Sequence, residues 1–224
     1  MLTLSFITGT KPGKWFTRFR DRTHHGGLET LDSDDALGLM LAGQAQLALT
    51  RLPDARIDAS LHVVNLYQEQ PGVAFPKDFF LSAEEGAVDP ADLEGEIINW
   101  SMPDSGEVDA AAVRDALQIV AANVGVVIAP RPLLKVLSKK LVEHRDIKGG
   151  TETSIALVWK KDEDSEEIQD FVGIARGRTR NSSRQQTVKL SAREKTLAKQ
   201  ARRQGEKPKT PKRPQARKRP GKRR

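Results

Sequence analysis

The 224-residue chain contains no cysteine, which excludes disulfides, thiolate nucleophiles and every zinc site built on cysteine. Histidine is scarce too: His24 and His25 are neighbours before a Gly-Gly pair, while His62 and His144 stand alone. With no clustered ligands, no metal site is expected. No run approaches the roughly 18 apolar residues of a membrane span. Met1 to Ile7 is too short for the apolar centre of a signal peptide and lacks a basic start, so a cytoplasmic protein without a membrane partner is expected. The stretch "TGTKPGK" after the first apolar run lacks the GxxxxGK[ST] spacing of a nucleotide phosphate loop. The pairs Asp34/Asp35 and Glu84/Glu85 fit a helix start and a solvated loop better than an acid/base dyad. No catalytic residue and no cofactor is expected, and the chain does not read as an enzyme.

Charge is present in quantity but is unevenly placed. Residues 176–224 hold 20 of the 37 basic side chains and only Glu194 and Glu206 of the 30 acidic ones, a balance of +18. The preceding 175 residues carry −11. The formal net charge of +7 therefore describes neither part, and partners must be argued for each separately.

Along the acidic part, "LTLSFI" reads as a strand, and "GKWFTRFRDRTHH" as a helix with Trp15, Phe16 and Phe19 at helical spacing. "LETLDS" is a second strand. "SDDALGLMLAGQ" is a short helix with Ser33 as expected N-cap and Gly43 as its stop, and "AQLALTRLP" a buried strand ended by Pro53. Short connections between alternating elements favour a parallel α/β sheet. "LHVVNLYQEQPGVAFPKD" gives two strands divided at "EQPG", and "EIINW" a further strand. An amphipathic helix from about Val108 to Asn123, with Val113, Leu117 and Val120 on one side, precedes the apolar strand "VVIA". Pro130 and Pro132 open another helix, and "SIALVWKK" and "SEEIQDFVGIA" supply a last strand and helix.

These stretches, in this order, resemble the effector-binding domain of LysR-type transcriptional regulators. "DALGLMLAGQAQLALTRLP", "LYQEQPGVAFPKD", "VDPADLEGEIIN", "LQIVAANVGVVIAPRPL" and "IALVWKKDEDSEEIQDFV" are each similar to a family segment, and together they cover about residues 2 to 175. The resemblance implies an α/β, two-lobed, type 2 periplasmic-binding-protein-like fold. Residues 1–75 and 151–175 would form the first lobe and 76–150 the second. The second lobe is expected to be trimmed, because only "SMPDSGEVDAA" lies between "EIINW" and the helix near Val113. The family's winged helix-turn-helix would stand ahead of the strand that begins here at Leu2, so DNA is not expected to be read as family members read it. The resemblance also implies a homodimer through the body.

In a two-lobed binding protein of this kind, loops after strands and helix N-termini favour a small anion. On that map Thr8, Gly9, Thr10 and Lys11, Ser33, and Arg51 face an effector from the first lobe, and Ala129 and Arg131 from the second. The competing reading is that the hydroxyls cap helices and the cations are solvated or paired. In the tail, Ser191 and Glu194 have capping-box spacing, so a short helix over 191–204 is expected within an otherwise disordered segment. Its cations Arg202, Arg203, Lys207, Lys209, Lys212, Arg213, Arg217, Lys218, Arg219, Lys222, Arg223 and Arg224 suit phosphate backbones, DNA or RNA, without sequence preference. The expected function is a LysR-like transcriptional regulator, or a protein derived from one, that binds a small anionic effector or a partner through its body and nucleic acid through its tail. The alternatives are a nucleic-acid- or ribosome-associated protein that keeps the fold as a scaffold without an effector pocket, and a small-molecule-binding protein with an incidental tail.

Overall fold

Large apolar residues interleaved with the small polar Thr3 and Ser5 in "LTLSFI" make a strand, β1 (Leu2–Ile7), with Leu2, Leu4 and Ile7 buried. The computed structural model describes residues 1–83, 85–138, 140 and 142–177, so the expected helix at 191–204 and the tail cations from Arg202 onward lie outside the described residues. Helix α1 (Gly13–Arg22) follows β1 and buries Phe16 and Phe19. Strand β2 (Leu28–Ser33), helix α2 (Ala36–Leu41) and strand β3 (Leu47–Leu52) come next. Both β2 and β3 pair with β1 in parallel. Strands β4 (Leu61–Glu69) and β9 (Thr153–Lys160) complete this sheet, whose order is β2-β1-β3-β9-β4 with β9 antiparallel to its neighbours.

The second sheet runs β6-β7-β5-β8, from β5 (Pro71–Pro76), β6 (Ile98–Trp100), β7 (Val126–Pro130) and β8 (Val142–Asp146). The chain passes from β4 of the first sheet to β5 of the second at Gln70. All six residues of β5 are buried, and so apolar a strand belongs between β7 and β8, where it pairs antiparallel with both. The return to the first sheet lies between β8 and β9. Strand β8 was not legible as "VEHRD": it is an edge strand in which only Val142 is fully buried, so it carries little of the alternation that marks a strand.

Each lobe has its own core. On one face of the first sheet, α1 and α5 (Glu166–Ala175) bring Phe16, Phe19 and Phe171 over Leu2, Leu4 and Leu157. On the other face, Leu37 and Met40 of α2 pack on Ala48, Ala156 and Val158. In the second lobe, Val113, Leu117 and Val120 of α3 (Ala110–Ala121) meet Leu133 and Leu134 of α4 (Arg131–Leu137). Val73 and Phe75 pack beneath them with Leu81 and Ile147. Helix α3 is capped by Asp109, whose carboxylate accepts from Ala111 N at 2.8 Å and Ala112 N at 3.0 Å. Asp109→Ala is therefore expected to cost about 1 kcal/mol, read as a melting temperature lowered by about 2–4 °C.

Candidate ligand cleft

The loop after β1 turns sharply because Thr10 donates its backbone N–H and its hydroxyl to the Ile7 carbonyl, at 3.2 and 2.8 Å. Gly9 in that turn has φ +100°, and a Cβ there would lie 3.1 Å from Leu133 Cα and 3.3 Å from Arg51 Nη2. Only glycine lets the loop approach α4 of the other lobe this closely. Thr8 is committed on three sides. Its N–H donates to Ser33 O, its hydroxyl to Asp34 Oδ1 at 2.6 Å, and its carbonyl accepts from Arg51 Nη2 at 3.3 Å.

Ser33 is not the cap of α2. It is the last residue of β2, and its Oγ accepts from Asp35 N at 3.0 Å. Asp35 is the N-cap and accepts from Gly38 N at 2.9 Å. The Arg56 guanidinium, donating to both Asp35 oxygens, outweighs partial burial and holds this carboxyl below the usual carboxylate range.

Arg51 is sealed rather than presented. Its side chain is 3% exposed and that of Glu69 is 1%. Nε donates to Glu69 Oε2 at 2.6 Å and Nη2 to Oε1 at 3.2 Å, while Thr153 Oγ1 donates to Oε2 at 3.0 Å. Two charges taken this far out of water are held only because they are paired and hydrogen-bonded. Nη1 is buried without a protein acceptor. Arg51 therefore fixes the Thr8 carbonyl and the strand ends through Nε and Nη2.

Between the Gly9 loop, the end of β4 and the start of α4 lies a cleft of about 480 Å³. Gly9 and Lys11 form one wall, Tyr67 to Gln70 the floor, and Arg131, Pro132 and Lys135 the opposite wall. Lys11 and Lys135 are exposed and, among the described residues, enter no ion pair. Arg131 is paired with Asp146. Burial, with a contribution from Glu69, pushes the Tyr67 phenol up to about 12, so it stays a neutral donor. Burial and the nearby Arg131 hold His144 of β8, outside the cleft lining, below its usual range.

Of the eight effector-facing residues expected from sequence, Gly9, Lys11 and Arg131 line this cleft. The hydroxyls of Thr8 and Thr10 are used inside the loop, Ser33 in the turn before α2, and Arg51 in its buried pair. Ala129 is 1% exposed and belongs to the core of the second lobe. The cleft also uses Tyr67, Gln68, Gln70 and Lys135, which sequence reasoning missed. Lys135 had a signal, since it lies four residues after Arg131 on a helix and so shares its face. Among the described residues no group of three or more histidines and carboxylates is placed to hold a metal ion, and no helix is long and apolar enough to cross a membrane.

No protein-family model matches the sequence, and no curated protein matches it. Solved structures do match. HinK, a LysR family transcriptional regulator from Pseudomonas aeruginosa, aligns with TM-score 0.57 and 14% identity over 78% of this chain and 68% of its own. Full-length CbnR, solved with its target DNA, gives TM-score 0.58 and 16% identity over 78% and 69%. A hydrogen-peroxide-bound OxyR mutant from Corynebacterium glutamicum gives 0.56 and 16% over 81% and 68%. The fold is that of the LysR regulatory domain. A LysR-type body of two lobes, anticipated from the sequence, is thus what the chain folds into. At these identities the likeness concerns the fold, and the cleft residues must be judged on their own chemistry.

Proposed function

We propose that the chain is a LysR-like transcriptional regulator, or derives from one, and that its body takes a small anionic effector in the cleft lined by Lys11, Arg131 and Lys135. The supporting observation is the convergence of three cations on one cavity in which, among the described residues, only Arg131 has a carboxylate partner, Glu69 being already paired with Arg51. Gln68 and Gln70 supply amides, and Tyr67 a phenol, for the remainder of such a ligand. A carboxylate or phosphate meets charge-assisted donors there. The basic tail is proposed to contact DNA or RNA, the protein to work in the cytoplasm, and the body to form a homodimer.

The test is calorimetric titration of the full chain with inorganic phosphate and a series of mono- and dicarboxylates. At least one is expected to bind, and Lys11→Ala with Lys135→Ala is expected to weaken it about 100-fold, roughly tenfold for each charge-assisted contact. Absence of binding across the series, or equal binding by the double variant, would refute the cleft assignment. The internal use of Thr8, Thr10, Ser33 and Arg51 favours one other reading, in which the fold serves as a scaffold without an effector pocket, and the same titration separates the two.

A further inference from the structure

Among the described residues the two lobes share no apolar core. The clusters around Phe19 and Met40 contain only residues of the first lobe, and those around Leu117 and Phe75 only residues of the second. Their relative placement therefore rests on two covalent links, Gln70 and the segment 147–152, and on contacts between their surfaces. The links are tied to each other by Gln70 Nε2 donating to Glu152 Oε1 at 2.7 Å. Two lobes with separate cores joined by short linkers are the arrangement in which hinge motion is the default.

Among the described residues, two polar contacts reach from the segment around α3 to the first lobe. Arg114 of α3 donates to Asp34, with Nη2 at 2.7 Å from Oδ2 and 3.0 Å from Oδ1. Glu107 Oε1 accepts from Ala55 N at 2.6 Å, beside Gly106, which lies so close to Pro53 that a Cβ would come within 2.9 Å of it. Asp34 is not a free surface carboxylate. Partial burial would raise its pKa, but the hydrogen bonds from Thr8 and Arg114 hold it below the usual range. Thr8 in turn is gripped through its carbonyl by Arg51, whose partner Glu69 ends β4 and also binds Thr153 at the start of β9. A continuous chain of hydrogen bonds thus runs from both strands at the linkers, through Arg51 and Thr8, to Asp34 and across to α3. Gly9, the next residue, is a wall of the cleft.

We infer that the Asp34–Arg114 pair, seated on Thr8, is a latch that sets how far the two lobes open. The pair is about two-fifths exposed on each side, so it is screened by salt and breaks without exposing a core. The buried Arg51–Glu69 pair is its fixed anchor. The inference does not depend on the identity, or the existence, of an effector.

The absence of cysteine allows a direct test on the full chain. Ala59→Cys and Glu94→Cys place one spin label on each lobe at exposed positions, and pulsed electron paramagnetic resonance reads the distance between them. The parent is expected to show a dominant narrow distribution with a minor longer-distance population. Arg114→Ala and Asp34→Asn are each expected to enlarge a second, longer-distance population about fivefold or more, and Thr8→Val to act in the same direction. The charge-reversed pair, Asp34→Arg with Arg114→Asp, is expected to return the narrow distribution, which separates a latch from a general loss of folding. Distributions unchanged in Arg114→Ala and Asp34→Asn, or a reversed pair as open as either single variant, would overturn the proposal.

Discussion

The Glu69→Ala protein is expected to melt about 10 °C below the parent, a loss of about 3–5 kcal/mol. The reason is not the attraction that is deleted but the charge that is left. Arg51 is 4% exposed as a residue, and no other carboxylate among the described residues contacts it. Arg51 already buries Nη1 without an acceptor, and removing Glu69 would strand Nε as well. The double change Arg51→Met with Glu69→Leu removes both charges and fills similar volume, so it is expected to recover at least half of the loss. Chemical denaturation of the three variants checks this. A single-variant loss under about 1 kcal/mol would mean that water reaches the pair and that the loop at Thr8 is not anchored as described. The same measurement reports on the cleft, because Thr8 loses its hold on the strand ends when Arg51 is freed.

Such a pair shows why some parts of this protein were readable in advance and others were not. Strands β1 and β7 and helix α3 declare themselves locally: an apolar run, or Val113, Leu117 and Val120 at helical spacing, states both the element and its buried face. The two-lobed fold was implied by the resemblance of these stretches, in this order, to a known family. Glu69 and Arg51 gave no such signal. They are 18 residues apart, each lies at or next to the end of a strand that would look the same with a solvated charge there, and only the crossing of β4 and β9 next to β3 buries them together. Asp34 and Arg114, 80 residues apart, are hidden in the same way. The misassigned cap of α2 has a smaller cause. Ser33, Asp34 and Asp35 are all capable caps, and the choice fell to Asp35 because β2 runs in register with β1 through Ser33, opposite Ile7. In the cleft, Lys11 was visible because a loop after a parallel strand is a predictable place. Tyr67 and Gln70 were not, because they lie on the crossing strand whose path between lobes only the assembled sheets define.

Replacing all twelve proposed contact cations, Arg202 through Arg224, by glutamine in the full chain is expected to weaken binding to duplex DNA or RNA more than about 100-fold at low salt. The body cannot compensate, since its −11 balance repels a phosphate backbone. If six of the tail cations neutralise phosphates, the parent's affinity should fall about 10³-fold between 50 and 200 mM monovalent salt, and the neutralised variant should show a much flatter dependence. Shuffling the nucleic-acid sequence should change little, because no aromatic residue follows Phe171 and base stacking is therefore unavailable to the tail. Binding that survives neutralisation would move the nucleic-acid contact out of residues 202–224, and binding that distinguishes one sequence strongly from its shuffled form would overturn attachment by charge alone. The outcome also bears on regulation. A tail that binds through charge alone supplies attachment without address, so any choice of target would have to come from elsewhere. A change in the body on effector binding would then act on assembly or on partner contacts rather than on base recognition.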